Sequence, residues 1–334
     1  MLIAPHRSSD ARYSKGVKIP ASVSSNGQAI VSAEEQQDVP QSERISDSSD
    51  RDATFLVCSV CRSPLASQPQ SVVCANGHSF DRAREGYFNL LRGKPAGDSK
   101  EMLLARRRFL QAGRYRPISD AVNAMVAGHL ARRESNGECG AAAVILDVGC
   151  GEGYYLRQLA SAWRADGALP LQLVGVDTSR DAIRLAARSG PALCFVVADV
   201  HELIPLASGS VEVLINIFSP RNAGEFARVI APGGMLLIVI PQPGHLRLLR
   251  SLAPLLGIQE GKAERLLAEY GDSFEHLSTA PVEYDLVLNG DQVIDLITMS
   301  PTFRHIDPES LDALRDLAEA PADVRVNVLA FRRR

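Results

Sequence analysis

Four soft metal donors stand close together near the start of the folded sequence, in the pattern Cys58-x2-Cys61-x12-Cys74-x3-His78 within FLVCSVCRSPLASQPQSVVCANGHSFD. Two close pairs separated by a hairpin-length spacer converge tetrahedrally on zinc. All four positions are filled by protein, so the site is structural and not catalytic. The ion supplies folding energy to a segment too small to enclose a core alone. Six cysteines at such uneven spacing do not make a disulfide framework. Cys139, Cys150 and Cys194 stand outside the pattern and read as small packed residues.

A second constellation is Asp147-Val148-Gly149-Cys150-Gly151-Glu152-Gly153, which continues the apolar run AVILDVG into a helix beginning at about Tyr154. Glycines there let a ligand approach bare backbone. The spacing is G-x-G-x-G with an acid two residues before the first glycine, not the G-x-G-x-x-G that seats a pyrophosphate. Asp147 repels a phosphate but holds the ammonium side of a methionine-like ligand, directly or through water. The next strand, in LVGVDTS, ends in Asp177, which lies 28 residues after Gly149 and suits one intervening helix. A carboxylate there accepts both hydroxyls of an adenosine ribose. The third strand ends in Ala198-Asp199-Val200, where an acid accepts from an adenine amino group. Each acid alone is more often a helix cap, since Asp177 precedes Thr178-Ser179 and a helix. Three at successive strand ends above one glycine turn point to S-adenosylmethionine, with a nicotinamide cofactor as the alternative.

The elements that must position these groups follow from periodicity. Apolar runs AVILDVG, LQLVGVD, CFVVAD, VEVLINIF and MLLIVIP alternate with helical stretches YYLRQLASAW, RDAIRLAAR and AGEFARVI. This predicts an α/β fold with a mainly parallel sheet covered on both faces, which together with the glycine turn and its acids reads as a Rossmann-like class I S-adenosylmethionine-dependent methyltransferase. After Pro241, HLRLLRSLAPLL, AERLLAEYG and DQVIDLITM read as helices, while VEYDLVLN and VRVNVLAF read as a late antiparallel pair. Four segments result. Residues 1–53, rich in Ser, Gln, Asp and Glu, read as a disordered extension. Residues 54–95 form the zinc-binding module, 96–140 a helical connector and 141–334 the methyltransferase domain.

With 46% hydrophobic and 22% charged residues and no apolar run of bilayer length, the expectation is a cytoplasmic protein without membrane attachment. Charge is uneven: residues 1–53 hold 6 Lys/Arg against 8 Asp/Glu, residues 54–116 hold 11 against 4, and residues 117–334 hold 19 against 27. A basic segment on an acidic body suggests a local surface for a polyanion. Arg62, Arg82, Arg84, Arg92 and Lys94 lie in or just after the zinc module, interleaved with Phe80, Tyr87 and Phe88. Such aromatics either stack on unpaired bases or form the module's own small core; at least two of the three are expected in the core.

Taken together, CSVCRSPL…CANGHSFDRAREGYFNLLRG, GDSKEMLLARRRFLQAGRYRPISDA, LDVGCGEGYY and NIFSPRNAGEFARVIAPGG…VIPQPGHL resemble the bacterial 23S ribosomal RNA guanine-N1 methyltransferases. The FSPRNAGEF stretch is most similar to the Gram-positive branch that includes the tylosin-resistance enzyme. The resemblance runs from Cys58 to the C-terminus and implies zinc on Cys58, Cys61, Cys74 and His78. It also implies S-adenosylmethionine contacts at Tyr115 in GRYRP, at Tyr155-Leu156 after the glycine turn and at His245 in PGHL. The implied activity is methylation of guanine N1 in a hairpin loop, hairpin 35, of 23S rRNA, with an effect on macrolide sensitivity. A homodimer is implied as well.

Guanine N1 lies on the Watson–Crick edge, so a paired guanine must be exposed before reaction. Asn216-Ile217-Phe218-Ser219-Pro220, after the fourth strand, offers a lining: Asn216 for the base edge and Phe218 for stacking, or both merely as packing of the sheet end. No general base is identifiable. Two other functions compete with rRNA methylation: transfer to a small metabolite with the zinc knuckle as a lid, and a non-catalytic RNA-binding factor that kept the fold.

Overall fold

In the computed structural model, residues 55–93, 97–137, 142–166, 169–250, 261–300, 303, 306 and 308–334 are described. The expected disordered extension over residues 1–53, together with Lys94 and Cys139, lies outside the described residues, and the helix expected over HLRLLRSLAPLL is described only as far as Arg250. In chain order the strands are β1 Leu65–Ser67, β2 Ser71–Cys74, β3 Ser79–Asp81, β4 Phe88–Asn89, β5 Ala143–Val148, β6 Leu171–Asp177, β7 Cys194–Val197, β8 Val211–Ile217, β9 Ile230–Pro241, β10 Phe274–Leu288 and β11 Ala320–Arg333. The helices are α1 Lys100–Gln111, α2 Arg116–Ser135, α3 Tyr154–Asp166, α4 Arg180–Ser189, α5 Ala223–Val229, α6 Arg247–Arg250, α7 Lys262–Tyr270, α8 Gly290–Thr298 and α9 Pro308–Ala313.

The main sheet runs β10-β11-β9-β8-β5-β6-β7-β4. Strands β9, β8, β5, β6, β7 and β4 are parallel, and β10 and β11 form an antiparallel pair at one edge. The parallel strands are buried on both faces, which is why they read as unbroken apolar runs. On one face pack Phe109, Val122, Leu156, Ile183 and Leu296 from α1, α2, α3, α4 and α8. The other face is covered by Phe226 of α5, by Leu266 and Tyr270 of α7, and by Leu56, Leu65, Val72 and Phe88 from the zinc-bearing segment. The small β1-β2-β3 sheet is thus part of a layer of the larger domain.

Strand β4 makes that attachment a matter of backbone as well as side chains. It continues the main sheet beyond β7, pairing Phe88 with Val196 and Asn89 with Val197. Val57 N–H donates to Pro205 C=O at 3.0 Å and Ala207 N–H to Phe55 C=O at 2.8 Å. Tyr87 and Phe88 are buried, but against the methyltransferase body and not in a free-standing mini-core. The Tyr87 hydroxyl accepts from Arg180 Nε at 3.2 Å, and the Arg82 guanidinium sits 4.5 Å over the Phe88 ring.

Helix α1 starts where Ser99 accepts from Met102 N–H, with Glu101 in its first turn. It buries Met102, Leu103, Ala105, Phe109 and Leu110. The arginines of α1, part of the basic segment, are tied to neighbouring elements: Arg106 pairs with Asp98, Arg107 donates to Ser189, and the exposed Arg108 forks onto Asp295 of α8. Strand β10 begins eight residues before the expected VEYDLVLN run. Its early part is largely exposed, so it carries few apolar residues to announce it.

Candidate active site and zinc centre

The zinc-binding pattern closes as its spacing requires. Cys58-Ser59-Val60-Cys61-Arg62 turns back so that Arg62 N–H meets Cys58 C=O at 2.8 Å, and Gly77, at φ +81°, turns the second pair. Cys58 Sγ lies 3.6 Å from His78 Nδ1, Cys61 Sγ 3.6 Å from Cys74 Sγ, and Cys74 Sγ 3.3 Å from His78 Nδ1. Ligands at zinc–sulfur bond length on a tetrahedron stand about 3.8 Å apart. The four donor atoms lie within 4.8 Å of one another and fit the ion. Hydrogen bonds from Ser63 and Asn76 push the Cys61 thiol down to about 5, toward the thiolate that binds metal.

A cavity of about 900 Å³ opens over the carboxyl ends of the parallel strands. Gly149, Cys150, Gly151 and Glu152 form one wall, and Asp177, Ala198 and Val200 follow from the next two strand ends. Asp147 lies beneath the turn, buried, with its Oδ2 lacking a protein partner. Burial, reinforced by the charge of Asp177, pushes its carboxyl up to about 8. Asp147 itself is not among the residues lining the cavity, which it underlies through the neighbouring Val148 and Gly149.

Gly149 and Gly151 have left-handed backbone, φ +74° and +56°, so the turn demands them. A Cβ on Gly149 would stand 2.3 Å from Ser219 Cβ, which makes that glycine's closest constraint protein packing and not ligand approach. A Cβ on Gly151 would meet only the flexible Arg106 side chain, at 3.6 Å.

Asp177 Oδ2 accepts Gly151 N–H at 2.9 Å and Oδ1 accepts Ser179 N–H at 2.8 Å. The cap of α4 is Ser179, whose hydroxyl accepts Ala182 N–H at 3.2 Å, so Asp177 is not the cap. Burial raises its pKa. Asp199 accepts His201 N–H at 2.8 Å, and its neighbours Ala198 and Val200 line the cavity.

Three rings face the cavity beyond the glycine turn: Tyr115 from the α1–α2 loop, Phe218 after β8 and His245 after β9. Tyr115 lies 5.9 Å from Phe218 and 6.4 Å from His245 between ring centroids, and Phe218 lies 6.2 Å from His245. Phe218 is 42% exposed and has φ 52°, a conformation costly for an aromatic residue. Burial brings the His245 pKa down to about 4, and His245 Nδ1 accepts Arg325 N–H at 3.2 Å. His245 is therefore a neutral imidazole with its proton on Nε2. Tyr155 also lines the cavity, whereas Leu156 is buried in the core behind it.

Asn216 stands apart from the cavity. It is fully buried, and its amide nitrogen donates to Ser219 Oγ at 2.6 Å, to Pro220 C=O at 2.9 Å and to Val148 C=O at 3.3 Å. It braces the loop that carries Phe218. The lining also includes residues that no local sequence pattern announces, among them Asp98, Arg106 and Leu110 from the connector, Arg221 after β8, Arg250 of α6 and Lys262 of α7. Among the described residues no helix is long and apolar enough to cross a membrane.

Two family models match the chain: an RlmA N-terminal zinc ribbon over residues 56–95 and a methyltransferase domain over residues 145–234. Among curated proteins, the chain is 36% identical to a 23S rRNA (guanine(748)-N(1))-methyltransferase of Streptomyces fradiae, over 80% of this chain and 91% of that protein. It is also 36% identical to a putative 23S rRNA (guanine-N(1)-)-methyltransferase of Micromonospora griseorubida, over 84% of this chain and 97% of the other. A putative enzyme of the same description from Bacillus subtilis is 29% identical over 83% and 97%. With a zinc ribbon docked on a methyltransferase sheet and relatives aligned along nearly their whole length, the chain belongs to the 23S rRNA (guanine-N1)-methyltransferase family.

Proposed function

We propose that the protein transfers the methyl group of S-adenosylmethionine to N1 of a guanine in hairpin 35 of 23S rRNA, as a cytoplasmic homodimer, and thereby alters sensitivity to tylosin-type macrolides. The observation that carries this reading is the single cavity that joins the acid-rimmed glycine turn to the rings of Tyr115, Phe218 and His245. The division into residues 54–95 for RNA recognition, 96–140 as connector and 141–334 for methyl transfer belongs to the same reading.

The residues at the turn fit the cofactor: Asp147 offers an unpartnered oxygen to an ammonium, and Asp177 retains acceptor capacity for ribose hydroxyls beyond its two backbone bonds. Asp199 and Val200 take the adenine, and Tyr115, Tyr155 and His245 take the remaining length, with Leu156 packed behind them. When bound, the cofactor supplies an electrophilic methyl on a sulfonium.

What remains for the protein is mainly alignment of the nucleophile with that methyl. Phe218, held out by its strained backbone, stacks on the exposed guanine, and Asn216 fixes the loop beneath it. His245 presents an Nε2–H donor and not a base. The described carboxylates on the cavity wall, Asp98, Glu152 and Asp177, all stand on the glycine-turn side, so the N1 proton passes to water.

The test is methylation of an isolated hairpin 35 RNA followed by nucleoside analysis. The expected product is 1-methylguanosine, lost when the loop guanine is replaced by adenine. Label found only in small molecules overturns the RNA substrate, and no transfer at all supports a non-catalytic binding factor.

A further inference from the structure

The two ends of the cavity carry opposite charge. Over β5 and β6 stand Asp98, Glu152 and Asp177, with Asp147 below them. The cation at that end, Arg106, is paired with Asp98. Over β8 and β9 stand Arg221 from the loop after β8, Arg250 at the end of α6 and Lys262 at the start of α7. No carboxylate lines this half among the described residues.

These three cations are half-buried, and among the described residues none of them makes an ion pair. Arg250 Nε is buried without an acceptor, and its Nη1 donates to Pro243 C=O at 3.4 Å. Several other partly buried arginines are matched, Arg133 with Glu212, Arg157 with Glu152, Arg228 with Glu225 and Arg325 with Asp285, while Arg333 is held by backbone carbonyls instead. Unmatched charge in a half-buried wall is unfavourable unless an anion completes it. Burial and the neighbouring charge of Arg221 also lower the Lys262 pKa, a shift that a bound anion reverses.

We propose that Arg221, Arg250 and Lys262 form a seat for a backbone phosphate of the RNA strand flanking the methylated guanine. The proposal rests on the guanine-N1 reading for the identity of the strand, and it gives the acidic body a local anion site inside its own active cavity. A guanosine drawn onto Phe218 trails its phosphates toward this wall, since Phe218 and Arg221 are three residues apart on one loop. The carboxylate of S-adenosylmethionine is the other anion that enters the cavity. It shares a carbon with the ammonium, so an ammonium at Asp147 keeps it at the glycine-turn end, where Arg106 lies 3.6 Å from the Cβ position of Gly151. Phosphate recognition by a fork and a point charge together is ordinary chemistry for Arg and Lys.

The test uses the full chain loaded with S-adenosylhomocysteine and compares guanosine with its 5′- and 3′-monophosphates by calorimetry. The expected result is that one monophosphate binds about tenfold more tightly than guanosine, in the range of a charge-assisted contact. Arg221→Gln/Lys262→Gln erases that preference, while Arg221→Lys/Lys262→Arg retains most of it and controls for folding. On hairpin RNA, the Gln variant lowers the slope of log affinity against log salt by about 1 for each cation removed. Absence of a monophosphate preference in the wild type overturns the seat, as does a preference that survives in the Gln variant. Lost S-adenosylhomocysteine affinity with the preference intact assigns the cations to the cofactor carboxylate and also overturns it. Methylation of 23S rRNA is scored separately: its absence faults the substrate reading and leaves the mononucleotide comparison to judge the seat.

Discussion

The carboxylate of Asp177 accepts the backbone N–H of Gly151 at 2.9 Å, so the acid at the end of β6 and the turn after β5 move as one piece. Asp177→Ala leaves the Gly151 and Ser179 amides without their acceptor and, on the proposed function, removes a cofactor contact as well. The expected cost is about 2 kcal/mol in S-adenosylhomocysteine affinity, roughly thirtyfold, with a similar loss of stability. Asp177→Asn keeps one acceptor oxygen and should lose less of both. Calorimetry and thermal melts measure the pair; equal affinity in all three proteins would exclude Asp177 from the cofactor site.

Gly149→Ala should be destabilising by about 2–4 kcal/mol, because a Cβ there stands 2.3 Å from Ser219 Cβ at a left-handed backbone. Adding Ser219→Gly removes the collision but not the backbone strain, so the double variant recovers part of the loss. Chemical denaturation decides the point. No recovery would mean that the turn, and not Ser219, sets the need for glycine.

The proposed contact of Asp147 with the cofactor ammonium carries a pH signature. The folded pKa of that carboxyl is raised to about 8, so the folded apoprotein binds a proton more tightly than the unfolded chain, and Asp147 subtracts stability progressively as pH rises from about 4 to about 8. An ammonium placed on the carboxylate favours ionisation. At pH 7 binding should thus release up to about one proton more from wild type than from Asp147→Asn, the difference vanishing above about pH 9. Calorimetry in buffers of different ionisation enthalpy reads this number directly, and identical proton release by the two proteins would contradict the assignment.

Removing zinc should reach further than the ribbon itself. Phe88 and Asn89 extend the main sheet, and Leu56 and Leu65 belong to its buried layer. Cys58→Ser, or chelation, is expected to abolish RNA methylation and to lower the melting temperature, while S-adenosylhomocysteine affinity falls no more than about tenfold because β5 and β6 keep their own pairing. Full RNA methylation after complete zinc removal would dismiss the ribbon from the substrate side.

The features legible in the sequence are those whose chemistry is local. The zinc ligands sit within 21 residues, and the glycine turn is contiguous with its strand, so spacing alone announces both. Asp177 is one helix away from the turn in sequence, and in the fold it bonds the Gly151 amide. The roles of Arg106, Arg107 and Arg108 are not legible, since their partners Asp98, Ser189 and Asp295 are set by tertiary packing. The same holds for Arg221, Arg250 and Lys262, which line one cavity only because the loop after β8, the end of α6 and the start of α7 border it. Asn216 and Phe218 are two residues apart, yet Asn216 turns inward and Phe218 outward, a difference fixed by the positive φ of Phe218.

Guanine-N1 methylation is read out by reverse transcription across unmodified 23S rRNA after incubation with the protein and S-adenosylmethionine. N1-methylguanine cannot pair, so a new stop is expected beside a single guanine in the hairpin 35 loop, absent without the cofactor and weakened in Phe218→Ala. Methyl incorporation with no such stop, or a stop outside that loop, would contradict the proposed function.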